Sequence, residues 1–265
     1  MPEPAEAPGL RRVVHTMGTV FSCTVRDAPT PALTRALDAA EALLRHVDEV
    51  FSPYRTDSAV SLLRVGVQVP DEWQAEVDEI RTLCETAHRD TAGRFDAWYA
   101  GEYDPSGLVK GWAVERAARL LHEAGSEHVC LNGGGDIQLY GGPWRVGIAH
   151  PLLRDSYAAI VESAEGRLAI ATSGPAERGC HIVDPHTQAP PEDGLASLTV
   201  LATGLTRADT LATAVYAGGA AGARGWLEGQ QDVAALGVEW DGTTWTARGT
   251  TGPEPVTPRI LRGTA

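Results

Sequence analysis

Apolar residues follow two rhythms along this chain. Behind Thr30 and Pro31 they recur at helical spacing as Leu33, Leu37, Ala40, Leu44 and Val47. Thr30 is a good N-cap and Pro31 sits where its missing N–H costs nothing, so a helix opens there. A second amphipathic helix runs from about Asp71 to Asp90, with Trp73, Val77, Ile80, Cys84 and Ala87 on one side and Gly93 just beyond its end. A third begins near Ser106 and is stopped by Gly125. The rhythm then changes to short strands at 128–131, 136–140, 144–149, 158–163, 167–172 and 197–203, bounded by Gly, Pro and Asp. A helix from Thr206 and a strand pair within 233–248 follow. Ahead of the helices, residues 13–25 are rich in β-branched side chains around Met17-Gly18-Thr19, which predicts one strand with a bulge or a close backbone approach. Segregated helices and strands predict an α+β fold, with 1–12 a flexible N-terminal segment, 13–249 a single domain and 250–265 a C-terminal tail.

Composition narrows the function. With 265 residues, 43% hydrophobic and 22% charged, the chain has the make-up of a globular protein able to bury a sizeable core. A formal net charge of -13 without any basic run argues against nucleic-acid or anionic-membrane partners. An acidic chain acting on a phosphate needs a few placed cations or a bound metal. Cys23, Cys84, Cys130 and Cys180 are scattered, with no Cys-x-x-Cys spacing, and are expected as free thiols. The opening MPEPAEAPGLRR lacks the basic start and apolar stretch of a secretory signal, and no run approaches the roughly 20 apolar residues of a membrane span. The expected location is the cytoplasm, taking Met1 as the natural start.

Four segments could carry chemistry, and each has a plain structural alternative. In LTRADTLATAVYAGG, Thr206 and Asp209 have the spacing of a capping box, while Asp209 and Thr213 project from one helix face and could share a hard cation. Magnesium suits an Asp and a Thr hydroxyl, with a third ligand from elsewhere. In DPSGLVKG, a turn at Asp104 leads into a helix start able to receive phosphate, with Lys110 as a movable cation; the alternative is an Asp-Pro turn with a solvated lysine. LNGGGDIQLYGG lacks the ending of a phosphate loop and reads as a hairpin, a bulge or a place where a flat ligand meets bare backbone, and Asp136 fits either. In ATSGPAERGCHIVDPHTQ, adjacent Cys180 and His181 point to opposite faces of a strand and form no dyad. His181 suits a phosphate donor, an acid/base or a structural histidine, and Asp184-Pro185 a turn.

Taken in order, MGTVFS at 17–22, FSPYRTDSAVSLL at 51–63, GRFD at 93–96, DPSGLVKGWAVERA at 104–117, NGGGDI at 132–137, TSG at 172–174, HIVDP at 181–185 and ADTLATA at 208–214 closely resemble the ApbE family, the FAD:protein FMN transferases. The resemblance covers nearly the whole chain. It implies an architecture related to T-fold proteins, with FAD held between two intimately packed subdomains. It also implies transfer of FMN from FAD to a Thr or Ser hydroxyl of an acceptor flavoprotein, releasing AMP. Carried over by position, Asp209, Thr213 and the Gly107 carbonyl would bind Mg2+. Met17, Phe95, Asp96, Asp104, Lys110, Ser173, His181 and Ile182 would contact FAD, and His181, Lys110 and Asp209 would serve the chemistry. Two features depart from the family pattern: His186 and Gln188 stand where Arg and Gly are common, and Arg64 where Asn is frequent. Hydrolysis of FAD to FMN and AMP, and flavin binding without turnover, remain the rival expectations.

Overall fold

The computed structural model describes residues 9–99, 101–175, 182–191 and 194–251, together with the backbone of Pro258–Arg262. Helices α1 (Pro31–Phe51), α2 (Ala59–Arg64), α3 (Asp71–Asp90) and α4 (Ser106–Glu123) precede most of the strands. Thr30 caps α1 as its side chain accepts from the Leu33 amide at 3.1 Å. Leu33, Leu37, Ala40, Leu44 and Val47 are all buried, and α1 packs against α4. Ser58 caps the short α2, which escapes the periodicity because it spans fewer than two turns.

An antiparallel sheet of eight strands forms the middle layer. Its order is β1 (Leu10–Thr16), β2 (Thr19–Val25), β3 (Val129–Gly133), β4 (Asp136–Tyr140), β7 (Arg167–Ser173), β8 (Ser197–Ala202), β9 (Ala234–Val238) and β10 (Thr244–Arg248). On one face lies a core shared with α1, α4 and α5 (Leu205–Ala217), while α6 (Ala223–Glu228) flanks β10. On the other face a three-stranded sheet, β5 (Trp144–Ala149), β6 (Ser156–Ser163) and β11 (Pro258–Arg262), encloses a second core. Leu139, Ile170, Leu201 and Leu236 meet Trp144, Ile148 and Val161 there. Strands β8 and β9 are buried at every residue because both their faces are covered, so β9 carries no polar side chain and β8 only Ser197 and Thr199.

Two expectations need correction. Residues 13–25 are not one bulged strand: they belong to the hairpin β1–β2, which starts at Leu10 and turns at Met17 and Gly18, with φ of 49° and 66°. Two successive positive φ values match the right-handed twist of the strands, and Met17 accepts the cost a glycine would avoid. Nor is 250–265 only a tail, since β11 pairs with β6. Both hairpin and tail follow from pairing partners that the local pattern does not reveal.

Candidate functional site

An open cleft of about 710 Å³ lies where the β1–β2 and β3–β4 turns, the start of α4, one face of α5 and the ends of β5 and β7 converge. The β3–β4 turn is built on Gly134 and Gly135, both at positive φ, so NGGGDI is a hairpin whose bare backbone borders the cleft.

The floor is set by the contact between α4 and α5. At Gly111 the helices approach so closely that a Cβ would lie 2.8 Å from Asp209 Cβ and 2.9 Å from the Leu205 carbonyl oxygen. The Gly111 amide donates to Asp209 Oδ2 at 3.0 Å. In a helix that amide serves the carbonyl four residues earlier, which is Gly107; sharing it with Asp209 leaves Gly107 spare acceptor capacity. Thr213 sits one turn on from Asp209, and a Cβ at Gly107 would be 3.9 Å from its Oγ1. Gly107, distant in sequence from Asp209 and Thr213, therefore lines one pocket with them. Asp209 is only 5% exposed.

Among the described residues no three His, Cys, Asp or Glu side chains gather as a metal cage. One buried carboxylate, a hydroxyl and a carbonyl nevertheless fit magnesium, which keeps several positions for water and phosphate.

Lys110 is not a freely moving cation. Its Nζ forms an ion pair with the buried Asp136 and lies 3.8 Å from Asp209 Oδ2. Asp136 also accepts the Thr172 amide at 3.0 Å, tying β4 and β7 to the lysine. The expected capping box is likewise replaced. Helix α5 starts after Gly204, and Glu115 of α4 accepts from both the amide and the hydroxyl of Thr206, at 2.8 and 2.7 Å, while pairing with Arg167. Asp209 is thereby left to face Gly111 and Lys110.

The remaining candidates border the same cleft. Met17 lies at the hairpin turn, Phe95 is buried beside Gly107, and Ser173 and Ile182 line the wall. Asp96 Oδ1 accepts the Trp98 amide at 2.8 Å, and Asp104 Oδ1 accepts the Ser106 amide at 3.0 Å, so both also shape turns. Arg64 buttresses the second turn through the Tyr103 carbonyl at 3.1 Å and Asp104 Oδ2 at 3.5 Å. Burial, then the neighbouring Cys84, holds the Tyr103 phenol well above its ordinary range. His181 and Cys180 lie outside the described residues. Asp184 makes the expected turn, accepting the His186 amide at 2.9 Å. Gln188 takes a left-handed φ of 57°, which a glycine adopts without strain, and the His186 ring packs on Gly93.

Sequence reasoning did not single out Tyr54, which is 94% exposed at the cleft, nor Arg94, His150 and Ser197 within it. Tyr54 at least lies inside the FSPYRTDSAVSLL segment; His150 and Ser197 carry no local signal.

Residues 100–237, just over half the chain, match the family model described as "ApbE family". Among curated proteins, the FAD:protein FMN transferase of Haemophilus influenzae is 23% identical over 76% of this chain and 78% of its own length. That of Vibrio cholerae is 37% identical over 42% of this chain, a match that spans only 36% of the relative. The apo crystal structure of Pseudomonas stutzeri flavinyl transferase ApbE covers 93% of this chain and 98% of its own, with a TM-score of 0.76 at 21% identity. The ApbE protein of Thermotoga maritima gives a TM-score of 0.75 at 20% identity, covering 91% of this chain and 97% of its own. These neighbours share the mixed fold of helices and antiparallel sheets, and with the family match the chain belongs to the ApbE family.

Proposed function

We propose that this protein is a magnesium-dependent FAD:protein FMN transferase, moving FMN from FAD onto a Thr or Ser hydroxyl of an acceptor flavoprotein. The observation that carries this reading is the meeting of Gly107, Asp209 and Thr213 beside Lys110 in one cleft. The names of the relatives support the flavin chemistry. Bound magnesium would neutralise charge on the pyrophosphate and on the departing AMP. Asp209 supplies the one ionised ligand, held in place by the Gly111 amide. Lys110, fixed by Asp136, holds positive charge next to that carboxylate without closing the pocket. The acceptor hydroxyl forms a new P–O bond at the FMN phosphate, the bond to the AMP phosphate breaks, and the hydroxyl proton is released. With water as acceptor the same site would yield FMN and AMP. The exposed Tyr54 beside an open cleft favours access by a large acceptor over an enclosed hydrolase.

Incubation with FAD, magnesium and a candidate acceptor domain tests the proposal by AMP release and acceptor mass. An FMN adduct is the expected result. AMP and FMN without an adduct would establish hydrolysis instead, and FAD binding with neither product a non-catalytic role. Among the described residues no helix is long and apolar enough to cross a membrane. A cytoplasmic location, with a cytoplasmic acceptor, is part of the same proposal.

A further inference from the structure

Among the described residues three buried polar atoms in the cleft have no hydrogen-bond partner: one is Arg94 Nη1, against Gly218 beyond the end of α5, and the other two are His150 Nε2 and Ser197 Oγ. His150 and Ser197 are 7% and 5% exposed, so solvent does not satisfy them. The Leu152 amide donates to His150 Nδ1 at 3.2 Å. An accepting Nδ1 leaves the ring proton on Nε2, which is therefore a donor with nothing to receive it. A buried donor left unpaired is costly, and in the wall of a cleft it marks where a ligand's acceptor belongs.

The position follows from strand register. Thr172, whose amide meets Asp136 next to Lys110, pairs across the ladder with Thr199, and Ser173 with Leu198. Ser197 is thus two residues further along β8, about 7 Å from Thr199. It packs against Gly174, where a Cβ would lie 3.5 Å from Ser197 Cβ. His150 reaches the cleft from the end of β5, in the other sheet.

We infer that His150 and Ser197 form a ring-edge subsite that binds the carbonyl-bearing pyrimidinedione edge of the flavin ring; this rests on the FAD reading above. A fixed N–H and a rotatable hydroxyl are both satisfied by a ring edge with two carbonyl oxygens. Adenine instead sets an amino donor beside one ring nitrogen and answers only one donor as an acceptor. The subsite would thereby hold the flavin end of the dinucleotide and release AMP freely.

The test compares binding of FAD and of ADP-ribose, which keeps the pyrophosphate and adenine but lacks the flavin ring, to wild type, Ser197→Ala and His150→Leu. Thermal unfolding checks that each variant is folded. The inference predicts that each variant binds FAD about tenfold more weakly, as for one lost hydrogen bond, and ADP-ribose as wild type does. Ser197→Ala removes a single oxygen and keeps the test decisive if His150→Leu fails to fold. Equal weakening for both ligands, or none for either, overturns the subsite while leaving FAD binding intact. A wild-type protein that does not bind FAD overturns the parent reading as well.

Discussion

The Gly111 amide donates to Oδ2 of Asp209 at 3.0 Å, across a helix contact that has no room for a side chain at Gly111. This one relationship sets both the spacing of α4 and α5 and the direction of the carboxylate in the cleft. Gly111→Ala should therefore destabilise the fold by about 1–3 kcal/mol, because the added methyl meets the Leu205 carbonyl as well as Asp209. Urea unfolding measures the loss, and the surviving folded fraction should need more magnesium for half-maximal turnover.

Glu115 caps α5 in place of any residue of α5 itself. Replacing it by Ala removes two accepted hydrogen bonds from Thr206 and the partner of Arg167. The expected loss is about 1–2 kcal/mol, the range of a helix cap, seen as a lowered unfolding midpoint. Thr206→Val should be milder, since the Thr206 amide still reaches Glu115.

Asp27 ties the chain after β2 to the turn before β3. Burial opposes its ionisation, but the Ser126 hydroxyl and the amides of His128 and Glu127 outweigh burial and hold its carboxyl below the ordinary range. A lowered folded-state value means the stabilisation is present at neutral pH and is lost as the pH falls through that folded-state value. Asp27→Asn should be less stable than wild type at pH 7 and approach it in acid. Unfolding midpoints measured between pH 7 and pH 3 check the convergence.

Burial pushes the Cys23 and Cys84 thiols up to about 12 and Cys130 to about 11. Little thiolate forms at pH 8, so these three should resist a thiol reagent in the native protein and react in denaturant. Peptide mapping after native labelling reads each site separately.

How much of this was legible in the sequence depended on range. Helix α1 was plain because cap, proline and apolar stripe all lie within one segment, and the apolar runs of β4, β7 and β8 were nearly as clear. The β1–β2 turn was obscured because Met17 is an unusual residue at positive φ, leaving Gly18 as the only sign. Strand β11 depends on a partner about a hundred residues earlier. Within the site, the spacing of Asp209 and Thr213 was visible, as was a helix start at Ser106. That Gly111 holds Asp209, that Asp136 fixes Lys110 and that Glu115 caps α5 were not, because each joins elements brought together only by the fold.

The most direct measurement of the central claim is AMP release from FAD, with magnesium and acceptor present, by wild type and Asp209→Asn. Asparagine keeps an oxygen able to face the Gly111 amide but lacks the charge that magnesium requires. The account predicts a folded variant with no magnesium-dependent AMP release; full release by that variant would contradict it.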